Sequence, residues 1–263
     1  LTLDKPLPQI GGKGLFTQEL ENALHAGRID LAVHSLKDLP IDSARGITLG
    51  AIMGRADVRD VLVTTAIQGV GGNTLGSLPF GAHVGTSSMR RHGQLKVVRP
   101  DLNVQSIRGN VETRIRKVKE GLYDATILAA AGVTRLELEH YVAQWLPLDV
   151  MLPAPGQGAL AVQCRAEDEP TLALLAKIHQ AEVAMAVKAE RSFLNHLGGG
   201  CATPVAAYAQ RKGNHFFLQG LVTALDGSRQ VKVEGHGADG WELGVRLAEK
   251  ALDDGAREIL GHG

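Results

Sequence analysis

Short apolar runs alternate with amphipathic segments along most of this chain, and many of the runs end in polar or glycine-rich turns. That alternation belongs to α/β architecture, in which strands build a sheet and the intervening helices cover it. Leu15 to Ala26 has helical spacing, with Leu15, Phe16, Leu20, Ala23 and Leu24 on one face and Gly27 as its stop. Ile29 to Val33 is nearly continuous in apolar character, as expected of a buried parallel strand. It leads into His34-Ser35-Leu36-Lys37-Asp38-Leu39-Pro40, a polar loop at the carboxyl end of the strand, where open α/β sheets bind ligands.

The same reading predicts a strand at Val61 to Thr65 and a glycine-rich connection from Val70 to Gly81. His83 to Ser88 is a strand feeding a small-residue turn, and Met89 to Val98 the helix after it. Asn103 to Ile107 and Ala125 to Ala131 are further strands, with Val111 to Glu120 helical between them. Pro153 to Gly158 punctuates the chain, and Ala159 to Gln163 is a strand returning to the first unit. Ala181 to Leu197 is a helix. The repeated strand–helix order predicts parallel sheets. The tail differs: Phe216 to Leu225 and Gln230 to Glu234 flank an Asp226-Gly227 turn, a hairpin signal, with a helix from Trp241 to Asp253. That is a small α+β module.

A length of 263 residues suggests two or three domains. Formal net charge is zero, so no global basic field draws the chain to nucleic acid or anionic membranes. No apolar run approaches bilayer-spanning length. Two cysteines, Cys164 and Cys201, make no disulfide framework and suit a reducing compartment. Nor do they form a zinc motif, and no phosphate loop of the Gly-x-x-x-x-Gly-Lys-Ser/Thr type is present. The chain begins at Leu1 in a polar, loop-like stretch without a visible signal peptide, so a preceding segment holding a first strand is expected.

Although the whole is neutral, its middle is not. Between His83 and Arg135 ten basic residues face four acidic ones, a local excess of six. Arg90, Arg91, Arg108 and Arg135 fall where strands hand over to helices, and helix starts with guanidinium forks favour anions. Arg116, Lys117 and Lys119 fit a solvated or ion-paired helix surface instead. A multiply anionic ligand follows, and charge alone leaves phosphate and carboxylate equally open. Asp38 is the lone acid in this basic setting: a stabiliser of cationic character or a partner for ligand N–H groups, or simply a turn residue before Leu39-Pro40. Cys201 follows Gly198-Gly199-Gly200, which suits close presentation of a thiol to a ligand, although most lone cysteines are simply core packing.

Several segments together resemble the porphobilinogen deaminase (hydroxymethylbilane synthase) family. They are Gly11-Gly12-Lys13-Gly14-Leu15-Phe16, Val33 to Pro40, Val84-Gly85-Thr86-Ser87-Ser88-Met89-Arg90-Arg91, and Arg108-Gly109-Asn110 with Thr113-Arg114. Leu128 to Gly132 with Arg135-Leu136, Pro155-Gly156-Gln157-Gly158-Ala159, Ala189-Glu190-Arg191 and Gly199-Gly200-Cys201-Ala202-Thr203-Pro204 complete the set, in the family's order over the whole length. The resemblance implies an α/β fold of three domains. Two are periplasmic-binding-protein-like α/β domains, residues 1–58 with 154–177 and residues 59–153, and the third is a small α+β C-terminal domain at 178–263. It implies a transferase that polymerises four porphobilinogens head to tail into hydroxymethylbilane, releasing four ammonia molecules, in tetrapyrrole biosynthesis.

The implied cofactor is dipyrromethane, thioether-linked to Cys201. Ser35, Lys37, Thr86, Ser87 and Ser88 would hold it or the growing chain, and Arg90, Arg91, Arg108, Arg114 and Arg135 would bind carboxylates or assist ammonia loss. Asp38 would contact pyrrole N–H groups and stabilise the azafulvene-like cation, giving Asp38, Arg90 and Arg108 as the catalytic set. Lys13, on a mobile loop over the cleft, and Gln157 would lie beside the substrate. The family's first strand and helix, with a substrate-binding arginine and serine, would precede Leu1. Gly198 stands where many members carry an acid. The expected partner is porphobilinogen alone, with no nucleic acid, membrane or metal. A monomer is expected in the cytoplasm, or in the plastid stroma if a transit peptide has been removed. The competing readings are a non-catalytic two-lobed binding protein, which needs the arginines but neither Cys201 nor Asp38, and an inactive truncated homologue.

Overall fold

The computed structural model describes residues 15–64, 74–200 and 203–261. Helix α1 (Leu15–His25) ends at Gly27, whose φ of +63° is open to glycine at little cost. Strands β1 (Leu31–Ser35) and β2 (Ile47–Arg55) follow, and the chain then crosses into β3 (Asp60–Thr64). Next come β4 (His83–Gly85), α2 (Met89–Val98), β5 (Asn103–Gln105), α3 (Val111–Lys119), β6 (Ala125–Ala129), α4 (Ala130–Arg135) and β7 (Val142–Trp145). A second crossing leads into β8 (Ala159–Arg165) and α5 (Glu169–Ala176). The remainder is α6 (Ala181–His196), the strands β9 (Val205–Lys212), β10 (His215–Thr223) and β11 (Gln230–Gly237), and α7 (Gly240–Ala251).

Three sheets result, ordered β1-β8-β2, β5-β4-β6-β3-β7 and β11-β10-β9. β8 does return to the first unit, lying between β1 and β2. The expectation of parallel sheets needs correction. Only β4 with β5 and β4 with β6 pair in parallel, and every other described pairing is antiparallel. The parallel part is where α2 and α3 supply the crossovers, as the geometry of such pairs demands. β1 is not the doubly buried strand its sequence suggests: it runs antiparallel to β8, and Leu31 and Val33 are exposed. The strand expected through Ala131 stops at Ala129, where α4 begins.

Strands of the five-stranded sheet are apolar on both faces because both are covered. Leu62, Val84, Ile127 and Leu95 pack on one side, and Val61, Val63, Leu128 and Ile115 on the other. In the third unit Phe193 of α6 and Leu243 and Leu247 of α7 cover one face of the β9–β11 sheet, through Val205, Leu218 and Val233. The two crossings between the first sheets run side by side, joined by Ala56 N–H donating to Gly158 O at 3.0 Å. Gly158 has φ +86°, and a Cβ there would lie 2.6 Å from Ala56 O, so only glycine lets these segments meet.

Candidate active site

The polar loop after β1 is a single 3-10 turn, Leu36–Asp38. Leu36 and Leu39 are buried against Ala159, Ala161 and Val187, which turns the intervening side chains outward. Asp38 is exposed and Lys37 half-buried, its Nζ donating to Gln157 Oε1 at 3.3 Å. Burial, followed by the Arg91 charge, pushes the Lys37 ammonium down to about 8, against the opposing pull of Asp38 and Asp60.

The second sheet presents the start of α2 to this turn. Ser88 caps the helix, accepting from Arg91 N–H, and the next two side chains turn inward. Arg90 and Arg91, 4% and 6% exposed, both converge on the fully buried Asp60, at 2.8 and 2.7 Å. Arg90 also donates to Leu152 O at 2.6 Å, and Arg91 to Ile127 O at 3.0 Å. Burial alone would raise the Asp60 carboxyl, but Arg90, Arg91 and Lys37 outweigh it and hold the group well below the usual carboxylate range. Gln157, also fully buried, joins Asp60 Oδ1 (2.9 Å) and Val58 O (2.7 Å) to Lys37. The floor between the two sheets is therefore one polar network with both crossings in it.

The rim is formed by Arg108 and Arg114. Gly109 has φ +115°, which lets Asn110 cap α3 through Thr113 N–H at 2.9 Å. Arg114 Nε donates to Gly109 O at 2.8 Å. Burial, then Arg91 and Arg108, lower the Arg114 pKa, with Asp38 opposing. Among the described residues the side chains of Asp38, Arg108 and Arg135 have no hydrogen-bonded or ion-paired protein partner. Arg135 is exposed at the end of α4. Thr86 Oγ1 accepts from Ser88 N–H at 3.2 Å, and Ser87 donates to Ile107 O at 2.7 Å, so these hydroxyls shape the turn beneath the cations. Ser35 is half-buried at the end of β1.

The structure thus places Arg90, Arg91 and Gln157 in the floor, with Lys37 and Asp38 on the turn beside it and Arg108 and Arg114 at the start of α3. Lys13 and Cys201 lie outside the described residues. Asp60 was not singled out from sequence. An acid opening a strand buried on both faces demands a counter-charge, and that was the available signal. Nor were Arg55 and the roles of Glu190 and Arg191. Glu190, fully buried on α6, accepts from both Nη atoms of Arg55 (2.7 and 2.9 Å), Gly156 N–H (2.7 Å) and Ala209 N–H (2.8 Å), tying the third sheet to the first sheet and to the second crossing.

Fold and site together define a mixed α/β protein of three sheets, with basic side chains gathered between the turn after β1 and the starts of α2 and α3. The profile of "Porphobilinogen deaminase, dipyromethane cofactor binding domain" matches residues 1–173, and that of "Porphobilinogen deaminase, C-terminal domain" matches residues 184–253. A porphobilinogen deaminase of Brevibacillus brevis is 48% identical over 259 residues, 98% of this chain and 82% of that protein. One from Roseiflexus sp. (strain RS-1) is 48% identical over 262 residues, 99% of this chain and 84% of its own. One from Geobacter sulfurreducens is 46% identical over 260 residues, covering 98% and 80%. Among solved structures, the periplasmic aliphatic sulphonate binding protein of Escherichia coli superposes with a TM-score of 0.40 at 16% identity, over 66% of this chain and 56% of that one. The chain belongs to the porphobilinogen deaminase family.

Proposed function

We propose that this chain joins four porphobilinogen molecules head to tail and hydrolyses the product free as hydroxymethylbilane, consuming one water and releasing four ammonia molecules. The observation that carries the reading is a buried pair of arginines, Arg90 and Arg91, only part-balanced by Asp60, beside the turn that carries Lys37 and the exposed carboxylate of Asp38. Each porphobilinogen brings an acetate and a propionate, so a growing chain is a polyanion. Burial, and then the neighbouring Arg91 charge, lower the proton affinity of Arg114 and Lys37, and ligand carboxylates would relieve the like-charge part. On that test a dipyrromethane with four carboxylates fits these residues.

When bound, dipyrromethane supplies the pyrrole carbon to which the first substrate is joined; Cys201 is the residue we assign to its attachment. Lys37, Arg91, Arg108 and Arg114 hold the carboxylates, with Arg135 and the hydroxyls of Ser35, Thr86, Ser87 and Ser88 extending the surface. Asp38 keeps a negative charge where positive charge develops on the substrate as ammonia leaves, and accepts from its pyrrole N–H. Arg108 lies at the same rim to assist that departure. Arg90 and Gln157 support the floor. The division into 1–58 with 154–177, 59–153 and 178–263 follows the three sheets. We place the protein in the cytoplasm as a monomer; no helix among the described residues is long and apolar enough to cross a membrane.

The test is the intact mass of the purified protein beside its Cys201→Ser variant. The expected result is an adduct of two deaminated porphobilinogen units on the wild type, absent from the variant. An unmodified wild-type mass, persisting after incubation with porphobilinogen or preformed hydroxymethylbilane, would refute the reading and leave a binding protein.

A further inference from the structure

Arg191 stands beside Glu190 on α6, yet points the other way, into the turn that carries Lys37 and Asp38. Its Nη1 donates to Leu36 O and Leu39 O, both at 3.3 Å, and its Nη2 to Pro40 O at 2.7 Å and Ile41 O at 3.1 Å. One guanidinium thus holds four carbonyls within six residues. The turn has little else of this kind: its own backbone closure is Leu39 N–H to Leu36 O at 3.2 Å. Val187, one helical turn before Arg191, packs with Leu36 and Leu39 from the same side.

The same helix runs on to His196 and delivers Gly198-Gly199-Gly200 immediately before Cys201. Five residues of helix, about 7 Å of rise, separate Arg191 from that end. Glu190 meanwhile locks the helix to Arg55 and Gly156. The Asp38 turn and the approach to Cys201 are therefore carried by one rigid element.

We propose that Arg191 is a positioning residue for the reaction, fixing the Asp38 carboxylate relative to the cysteine-bearing end of α6. The inference rests on the function proposed above. A planar fork with five donors can span several carbonyls; the compact ammonium of lysine, with three, covers fewer of them. Loosening this grip leaves Arg108 and Arg114, which other elements carry, in place and displaces only the turn, so substrate capture weakens less than the rate, which depends on the placement of Asp38. A misplacement of about 1 Å costs up to roughly a hundredfold in rate.

The experiment compares Arg191→Gln and Arg191→Lys with Arg165→Gln. Arg165 makes a similar clamp remote from the cleft, to Leu24 O, Ile29 O, Asp30 and Asp168. Adduct mass, Tm, kcat, KM and hydrogen exchange of the peptide covering residues 36–41 are measured on the full chain. Arg191→Gln is expected to retain the adduct, lose about tenfold or more in kcat with a smaller rise in KM, and exchange residues 36–41 faster. Arg191→Lys should recover part of kcat, and Arg165→Gln should lower Tm without either change. An unchanged kcat in Arg191→Gln, or an equal loss in Arg165→Gln, overturns the proposal. Should the wild type show neither adduct nor turnover, it is the proposed function that fails. The exchange readout then decides alone, with unchanged protection of residues 36–41 in Arg191→Gln overturning the clamp.

Discussion

Replacing Asp60 with Asn isolates the charge at the centre of the cleft floor. Asn keeps the shape of the side chain and still accepts from Gln157, but it removes the carboxylate shared by Arg90 and Arg91. Each guanidinium would retain one described carbonyl, Leu152 O for Arg90 and Ile127 O for Arg91. Both are at least 94% buried and cannot turn to water. Breaking a buried ion pair from one side costs about 3–5 kcal/mol, and two stranded cations put this site at the upper end. Set against a total stability of about 5–15 kcal/mol, that is a large fraction. At roughly 2–4 °C per kcal/mol for a chain of this size, Tm should fall by roughly 10–20 °C at pH 7.

The pH dependence sharpens the test. The folded-state pKa of Asp60 is depressed, so its contribution is present above the unfolded carboxylate value of about 3.9 and is lost only as pH falls below it, toward the folded value. The gap between wild type and Asp60→Asn should therefore be flat from pH 8 to pH 5 and close only in stronger acid. Scanning calorimetry at one fixed scan rate across that range measures it. A fall of less than about 3 °C at pH 7, or a gap that shrinks steadily between pH 8 and pH 5, would refute the assignment of Asp60 as the counter-ion.

Lys37, pushed down to about 8, is charged below that pH and loses its charge above it, so the cleft sheds a cation as pH climbs. KM for porphobilinogen should rise between about pH 7.5 and 9 in initial-rate measurements, and Lys37→Arg, which stays charged, should flatten that rise. Gly158→Ala combines a φ of +86° with a Cβ 2.6 Å from Ala56 O where the two crossings touch. It should destabilise the fold by about 1–3 kcal/mol or more in thermal denaturation, and a variant as stable as the wild type would contradict the crowding argued here.

The elements with strong local signals were legible before the structure. α2 was expected at Met89 to Val98 and is found there, and α1, α3, α6 and the hairpin around Asp226-Gly227 lie within a few residues of expectation. Strand direction was not legible, because an apolar run such as Ile29 to Val33 encodes burial and says nothing about which way its neighbour runs. β8 arrives from more than a hundred residues away and sets β1 antiparallel. β2, β7, β9 and α5 escaped notice for a related reason: β9 mixes alanines with a polar end, and β7 is half-buried throughout. In the site, charge and position singled out Asp38, Arg90, Arg91, Arg108 and Arg135, and the family resemblance added Lys37 and Arg114. Arg90 and Arg91 share that local signature yet lie in the floor, since only tertiary structure brings Asp60, Leu152 O and Ile127 O to them.

The basic stretch makes sense once each charge is followed to its partner. Lys96 is spent on Pro100 O and Leu102 O, Arg99 on Asp101 and the carbonyls of Leu75 and Leu78, and Arg116 on Glu120. Lys117 donates to Arg108 O, and Lys119 to the Tyr141 hydroxyl. The cations left for a ligand are those at the mouth, above a floor in which Asp60 balances one of its two arginines. That floor keeps a net positive charge facing the cleft without two uncompensated guanidinium groups inside the protein. The consequence separates stability from binding: Asp60→Asn makes the floor more positive, so it should lower Tm steeply while leaving the affinity for carboxylates undiminished. A rise in KM out of proportion to the loss of folded protein would mean that Asp60 acts by orienting Arg91 toward the ligand rather than by balancing charge.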